Sequence, residues 1–293
     1  MNPEILEGVG AYAQVRMGQI PDAAHELLPL EVTELTARYA GETALRFAVD
    51  QDDPTRPEIF DTVQGEGRNL GRPVVFARLS GCNLECSWCD TPYTWAFTPN
   101  KAEKHDEGQV YDKSQEQILL QVGEAVDQIT GYPLNRLVIT GGEPMIQQRG
   151  IAELIKGLRE RDPNQWVEIE TNGTIAPSKE MLELVDQFNV SPKLDNSGNP
   201  LAKRRKAKAL QAYADTPKAD FKFVSSGAYD LAEINELVEM TGIPHERVFL
   251  MPEGRTQDEV EAHQKELVEI CKMNNYNLTT RLHVLIWGAK RGV

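Results

Sequence analysis

At 293 residues with 40% hydrophobic side chains, the chain is long enough to bury a full core, and one main domain is the simplest expectation. Its formal net charge of -14 argues against direct nucleic-acid binding, which needs clustered Lys and Arg, and no apolar run approaches the roughly 20 residues of a bilayer span. The opening MNPEILEGVGAYAQVRMG has no basic leader followed by an apolar stretch, so neither a secretory signal nor membrane contact is expected, and the expected compartment is the cytoplasm.

Residues 1–57 read as an N-terminal extension packing on a core domain of residues 58–293. Within the extension, His25 to Tyr39 and Thr43 to Val49 carry enough Leu, Val and Phe to pack, and QDDPTRPE reads as a linker. From Ile59 a rhythm of short apolar strands begins: Val74 to Leu79, Leu137 to Thr140, Val167 to Glu170, Phe188 to Ser191, Phe221 to Val224, Val248 to Met251 and Leu282 to Ile286. Helical periodicity fills most intervals. Ile118, Leu119, Val122, Ala125, Val126 and Ile129 recur at 3.6 residues behind a capping-box pair, Ser114 and Gln117. Ile151, Leu154, Ile155 and Leu158 repeat the pattern, as do Met181, Leu182, Val185 and Phe188, the last already leaving its helix; Asp230 with Glu233 and Thr256 with Glu259 mark two further starts. Trp287 is expected to close the core.

Strands alternating with helices imply an α/β fold with a parallel sheet and right-handed crossovers, either an open sheet or a partial barrel. Polar, glycine-rich segments follow the strand ends at Gly81 to Thr91, Gly141 to Pro144, Thr171 to Gly173 and Pro192 to Asp195. Catalytic groups in such folds gather at the carboxyl ends of strands, so these four loops are expected to line one site. The basic run from Lys203 to Lys208 reads as a solvated helix face, with a phosphate or partner contact as the alternative.

Three of the four cysteines, Cys82, Cys86 and Cys89, fall within GCNLECSWCDT. Soft thiolates at that spacing suit an iron-sulfur cluster or zinc, and three ligands on a four-iron cube leave one iron open for chemistry. Zinc would need a histidine as fourth ligand, His105 being the nearest in sequence. Cys271 lies among Leu267, Val268 and Ile270 and reads as a buried helical cysteine.

The CxxxCxxC spacing resembles the radical S-adenosylmethionine (SAM) superfamily. The resemblance implies a partial (β/α) barrel with a modified (β/α)6 core, a [4Fe-4S] cluster on the three cysteines, and SAM chelated at the open iron and cleaved to a 5'-deoxyadenosyl radical. It places Trp88 against adenine or as a shield of the cluster. Gly141, Gly142 and Glu143 resemble the superfamily's GGEP element, with Glu143 suited to the SAM ammonium. Glu170, Thr171 and Asn172 are expected as ribose and methionyl contacts, with Ser191 a further contact and Lys193 on the polar rim.

The segment EIFDTVQGEGRNLGRPVVFARLSGCNLECSWCDT resembles, more specifically, the 7-carboxy-7-deazaguanine synthase family, over roughly Glu58 to Val293. The resemblance implies conversion of 6-carboxy-5,6,7,8-tetrahydropterin to 7-carboxy-7-deazaguanine with loss of ammonia, on the way to queuosine and related deazapurines. Hydrogen abstracted from C6 is returned after ring contraction, so SAM is regenerated. Gln64 and Glu66 offer complementary groups to a pterin edge, and the glycines between them allow close approach. Arg78, on an otherwise apolar strand, needs a partner: the substrate carboxylate, or a salt bridge with Glu66 or Glu85. Thr91 is implied as a hydroxyl ligand of Mg2+, with Asp90 in the same neighbourhood; helix capping is the plainer reading of both. His283 is implied as a substrate contact, while Lys222 and Glu253 read as rim residues.

The family also implies a homodimer and an external one-electron donor, flavodoxin being the class expectation. The N-terminal segment, the stretch around Ala96 to Glu107 and that around Asn196 to Pro217 depart from a minimal family member. The rival activities are a glycyl-radical-enzyme activase with the same cluster spacing, and a non-catalytic iron-sulfur or zinc binding module.

Overall fold

The structure is a computed structural model that describes residues 43–293. The chain divides into two compact units, Met1–Gly41 and Glu42–Val293; the segment His25 to Tyr39 lies outside the described residues.

Among the described residues ten strands share one sheet: β1 (Ala44–Ala48), β2 (Ile59–Val63), β3 (Pro73–Leu79), β4 (Gln117–Gln121), β5 (Arg136–Gly141), β6 (Trp166–Thr171), β7 (Gln187–Val190), β8 (Ala219–Ser225), β9 (Val248–Pro252) and β10 (Asn277–Leu278). Their order is β10-β9-β8-β7-β6-β5-β3-β1-β4, with β2 paired to β3 off this path. From β3 through β5 to β10 every pairing is parallel, whereas β1 and β2 run antiparallel to β3. The six strands β3 and β5 to β9 form the partial (β/α)6 barrel.

Side chains alternate faces along a strand, and here the two faces differ in chemistry. Leu137, Ile139, Val167, Ile169, Phe188, Phe221 and Leu250 join the core with the helix residues Ile151, Leu154, Ile155, Leu158 and Leu237. The alternate positions carry Thr140, Glu168, Glu170, Asn189, Asp220 and Lys222, and the register sets Glu170, Asn189 and Asp220 side by side. All but the half-buried Glu170 are buried. A barrel interior lined with polar groups is costly unless each finds a partner, and that requirement shapes the site below.

Several expected elements resolve differently. Ile118 to Ile129 is not one helix: Gln117–Gln121 is β4, paired with β1 over five rungs, and the helix begins at Val122. Its start is marked by Glu124 accepting from the Gln121 N–H at 2.9 Å, not by Ser114 and Gln117; Asp112 caps the preceding turn instead. The helix Lys179–Leu184 stops before Val185. At Leu231–Thr241 the start is as expected, but Asp230 accepts from the Ser226 N–H at 2.8 Å and Glu233 is taken by Arg204 and Arg205. Thr256 and Glu259 do form a reciprocal box at the head of Gln257–Asn274. The expected strand at Leu282 to Ile286 is the helix Leu282–Trp287, and Trp287 is 41% exposed rather than closing the core. The expected boundary at residue 57 falls inside the second unit, because β1 is a strand of the core sheet.

Candidate active site

The strand-end loops enclose a cavity of about 590 Å3. At one end Cys82, Cys86 and Cys89 line it as free thiols. Each sulfur has its own N–H neighbour: Leu84 N at 3.4 Å from Cys82 Sγ, Asn199 Nδ2 at 3.2 Å from Cys86 Sγ, and Trp95 Nε1 at 3.3 Å from Cys89 Sγ. Donors aimed at sulfur favour thiolate, the form that binds iron, and so the loop fits a cluster. Burial pushes all three thiols up, Cys86 to about 11, so metal binding must release protons.

Among the described residues no group of three or more His, Cys, Asp or Glu side chains is arranged to hold a metal ion; the three thiols fit a cluster by their donor chemistry. The zinc alternative loses its histidine: His105 Nε2 is 2.8 Å from Cys89 O and its Nδ1 accepts from the Glu107 N–H. Cys271 is buried in its helix with Sγ 3.5 Å from Asn277 O, away from the cavity. The stretch around Ala96 to Glu107 packs Trp95, Ala96 and Ala102 against Cys82 and Cys89.

The loop after β5 needs glycine. Gly141 has φ +133, and a Cβ there would lie 1.9 Å from Leu79 O, a clash no other residue escapes. Glu143 does not line the cavity. Its buried carboxylate accepts from Thr171 Oγ1 at 2.7 Å, Met145 N at 3.0 Å and Asn172 N at 2.7 Å, so it ties the GGEP loop to the loop after β6. Gly142, Glu170, Thr171, Asn172 and Ser191 do line it. Lys193 Nζ bonds Ser191 Oγ at 2.9 Å and sits 5.6 Å from the Trp88 ring centroid, while Trp88 Nε1 donates to Asn196 O at 3.0 Å.

The other end is charged. Glu66 pairs with Lys222, has Arg281 Nε at 3.4 Å without hydrogen-bond geometry, and lies 4.0 Å from His283 Nε2. Burial alone would raise the Glu66 carboxyl, but Lys222 and Arg281 hold it far below the usual range. Burial drives His283 below its ordinary 6.5, leaving it neutral at pH 7. The glycine of QGEG has a reason too: a Cβ on Gly65 would lie 2.5 Å from His283 Nδ1. Gln64 Nε2 donates to Glu168 Oε1 at 2.6 Å and is 3.3 Å from Glu170 Oε1. Arg78 pairs with neither Glu66 nor Glu85 but with the buried Glu58, Nε to Oε1 at 2.6 Å; Glu85 pairs with Lys203 at 3.5 Å. Asp90 pairs with Arg281, and Thr91 Oγ1 is buried 3.7 Å from Cys89 Sγ.

The cavity therefore unites Gln64, Glu66, Arg78, the cysteine loop and His283. Glu58, Glu168 and Arg281 escaped sequence reasoning. A charge inside the apolar strand WVEIET signals Glu168, whereas nothing local marks the other two, whose partners are distant in the chain.

The radical SAM superfamily model matches residues 78–216. The chain is 39% identical to the 7-carboxy-7-deazaguanine synthase of Pyrobaculum aerophilum, covering 80% of this chain and 95% of that protein, and 31% identical to that of Halobacterium salinarum, covering 88% and 98%. The crystal structure of QueE from Escherichia coli superposes with a TM-score of 0.59 at 24% identity, covering 85% and 98%, and supports the fold. No helix among the described residues is long and apolar enough to cross a membrane. A cavity with a three-thiol loop at one end and buried charges at the other, together with identity over most of both chains, places the chain in the 7-carboxy-7-deazaguanine synthase family of the radical SAM superfamily.

Proposed function

We propose that the protein converts 6-carboxy-5,6,7,8-tetrahydropterin to 7-carboxy-7-deazaguanine with release of ammonia, in queuosine and deazapurine biosynthesis. The observation that carries this reading is the pairing, in one cavity, of the cysteine loop with a buried charged end suited to a flat, polar, carboxylate-bearing ligand. Cys82, Cys86 and Cys89 would hold the cluster, which with SAM would supply the radical chemistry that removes a hydrogen atom from the substrate and returns it after ring contraction.

The chain's own groups do the positioning. Gly142, Thr171, Asn172 and Ser191 bound the SAM side, with Trp88 and Lys193 on its rim, while Glu143 holds two of these loops in register rather than meeting the ammonium itself. Glu170, fixed by Thr140 Oγ1 at 2.8 Å, stands between the two ends. Arg78 presents its guanidinium to the substrate carboxylate. Gln64 and Glu66 read the pterin edge, and neutral His283 offers one donor and one acceptor. The Thr91 hydroxyl, with Asp90 beside it, would hold Mg2+, which would orient the carboxylate and balance developing charge. A one-electron donor from outside the chain, flavodoxin by class, and a homodimer complete the reading.

The deciding experiment is product analysis after anaerobic cluster reconstitution with SAM, Mg2+, reductant and 6-carboxytetrahydropterin. More deazaguanine than SAM consumed is the expected result. SAM cleavage to free 5'-deoxyadenosine without deazaguanine would sink the substrate assignment.

A further inference from the structure

Glu58 carries a carboxylate that is 1% exposed and lies behind the cavity wall rather than on it. The rung Ile59↔Ala77 makes Glu58 and Arg78 the next cross-strand neighbours of β2 and β3, with Arg78 N donating to Glu58 O at 3.0 Å. Its two oxygens are divided between two guanidiniums: Oε1 accepts from Arg78 Nε at 2.6 Å and Oε2 from Arg291 Nε at 2.9 Å. The Tyr93 hydroxyl lies within 3.3 Å of both.

Arg78 gives Glu58 only its Nε, and among the described residues its terminal nitrogens make no other hydrogen bond. That leaves the end of the fork open to a carboxylate in the cavity. Arg291 is held from every side: Nη1 to Glu116 Oε2 at 2.9 Å, Nη2 to Val49 O, and Cζ 3.5 Å from the Tyr93 ring centroid. Residues 288–293, which carry it, line the cavity.

We infer that Glu58 is a positioning residue for two walls of the cavity at once: it aims the free end of Arg78 at the substrate carboxylate and, through Arg291, seats residues 288–293 against the same cavity. The first half rests on the substrate reading proposed above; the second does not. Both guanidiniums lean on one buried carboxylate, so removing its charge loosens both walls together.

The test is Glu58→Gln in the cluster-reconstituted holoenzyme, beside Arg78→Met and Arg291→Met, with circular dichroism and iron content as controls. KM and kcat for 6-carboxytetrahydropterin are measured, and amide hydrogen exchange is followed in peptides covering residues 282–293. Glu58→Gln is expected to raise KM about ten-fold or more, with a smaller change in kcat, and to speed exchange as much as Arg291→Met does. Wild-type KM and exchange in a folded, cluster-bearing Glu58→Gln protein would overturn the inference. Faster exchange in Glu58→Gln, with KM unmoved by Arg78→Met, would remove the substrate reading of Arg78 and leave the seating role standing. If Glu58→Gln fails to fold, Glu58→Asp replaces it: the shorter carboxylate keeps the charge but cannot span both partners, so wild-type values for both readouts would again overturn the inference.

Discussion

Glu168 sits on the barrel floor with three amide donors on its two oxygens: Gln64 Nε2 at 2.6 Å, Asn69 Nδ2 at 2.8 Å and Asn189 Nδ2. A carboxyl group has acceptor room for all three, whereas a glutamine would turn an NH2 against one of them. Glu168→Gln should therefore cost about 1–3 kcal/mol, read as a lower urea midpoint. Burial, and then the neighbouring Glu170, push the Glu168 carboxyl up to about 7 against the pull of the amides. A carboxyl raised in the fold binds a proton that the unfolded chain has already lost, so its contribution is full below the ordinary 4.5 and lost as pH rises through 7. The cost of Glu168→Gln should shrink between pH 5.5 and pH 8; a cost independent of pH would show that Glu168 titrates normally. Gln64, Glu66 and Arg78 were legible in the sequence because their signal is local, a polar group between glycines or inside an apolar strand. Glu58 and Arg281 were not, because they matter only through partners brought near by the fold.

Short elements around the cluster loop were the least legible. Leu282 to Ile286 has the composition of a strand, yet Arg281 is drawn to Asp90 and Glu66 and its O accepts from Val284 N at 3.0 Å, which starts a helix instead. Ile118 and its neighbours satisfy a helical period, but the antiparallel partner β1 claims them as β4, as tertiary pairing overrides local preference. The basic run is a third case. Arg204 is only 4% exposed, bridges Asp195 and Glu233, and bonds Asn199 O at 3.1 Å, so it is a buried clamp, while Arg205 pairs on the half-buried face. Arg204→Ala should lower stability by about 3 kcal/mol, measured by urea denaturation; a loss under 0.5 kcal/mol, the size of an exposed pair, would refute the clamp. The clamp supports Asn199, whose amide faces Cys86 Sγ. A donor to a cluster ligand stabilises the reduced, more negative state, so Asn199→Ala should make the cluster potential more negative in an EPR-monitored redox titration. An unchanged potential at full iron content would show that the contact does not persist in the holoprotein.

At the scale of the whole molecule, the question is where the catalytic unit begins. A boundary after residue 57 would discard β1, which pairs with β4 over five rungs and buries Leu45 and Phe47 to 1% and 0% exposure. Two such side chains returned to water cost about 1.5–3 kcal/mol each. β1 also anchors the root of the cysteine loop: Arg46 O accepts from Ser80 N at 2.9 Å, and Gln147 bonds Arg46 N and O at 2.8 and 3.1 Å. The parallel strands and the cavity lining, Gln51 included, all come from residues that follow β1. We therefore expect a protein of residues 42–293 to unfold cooperatively and to bind iron after reconstitution as the full chain does. A protein of residues 58–293 should lose cooperative melting and most of its iron, because β4 loses its five-rung pairing with β1, and Ser80 and Gln147 at the base of the cysteine loop lose their bonds to Arg46. Thermal melting with iron and sulfide analysis separates the two: equal behaviour of both truncations would make β1 dispensable, and failure of 42–293 as well would make residues 1–41 part of the unit that folds.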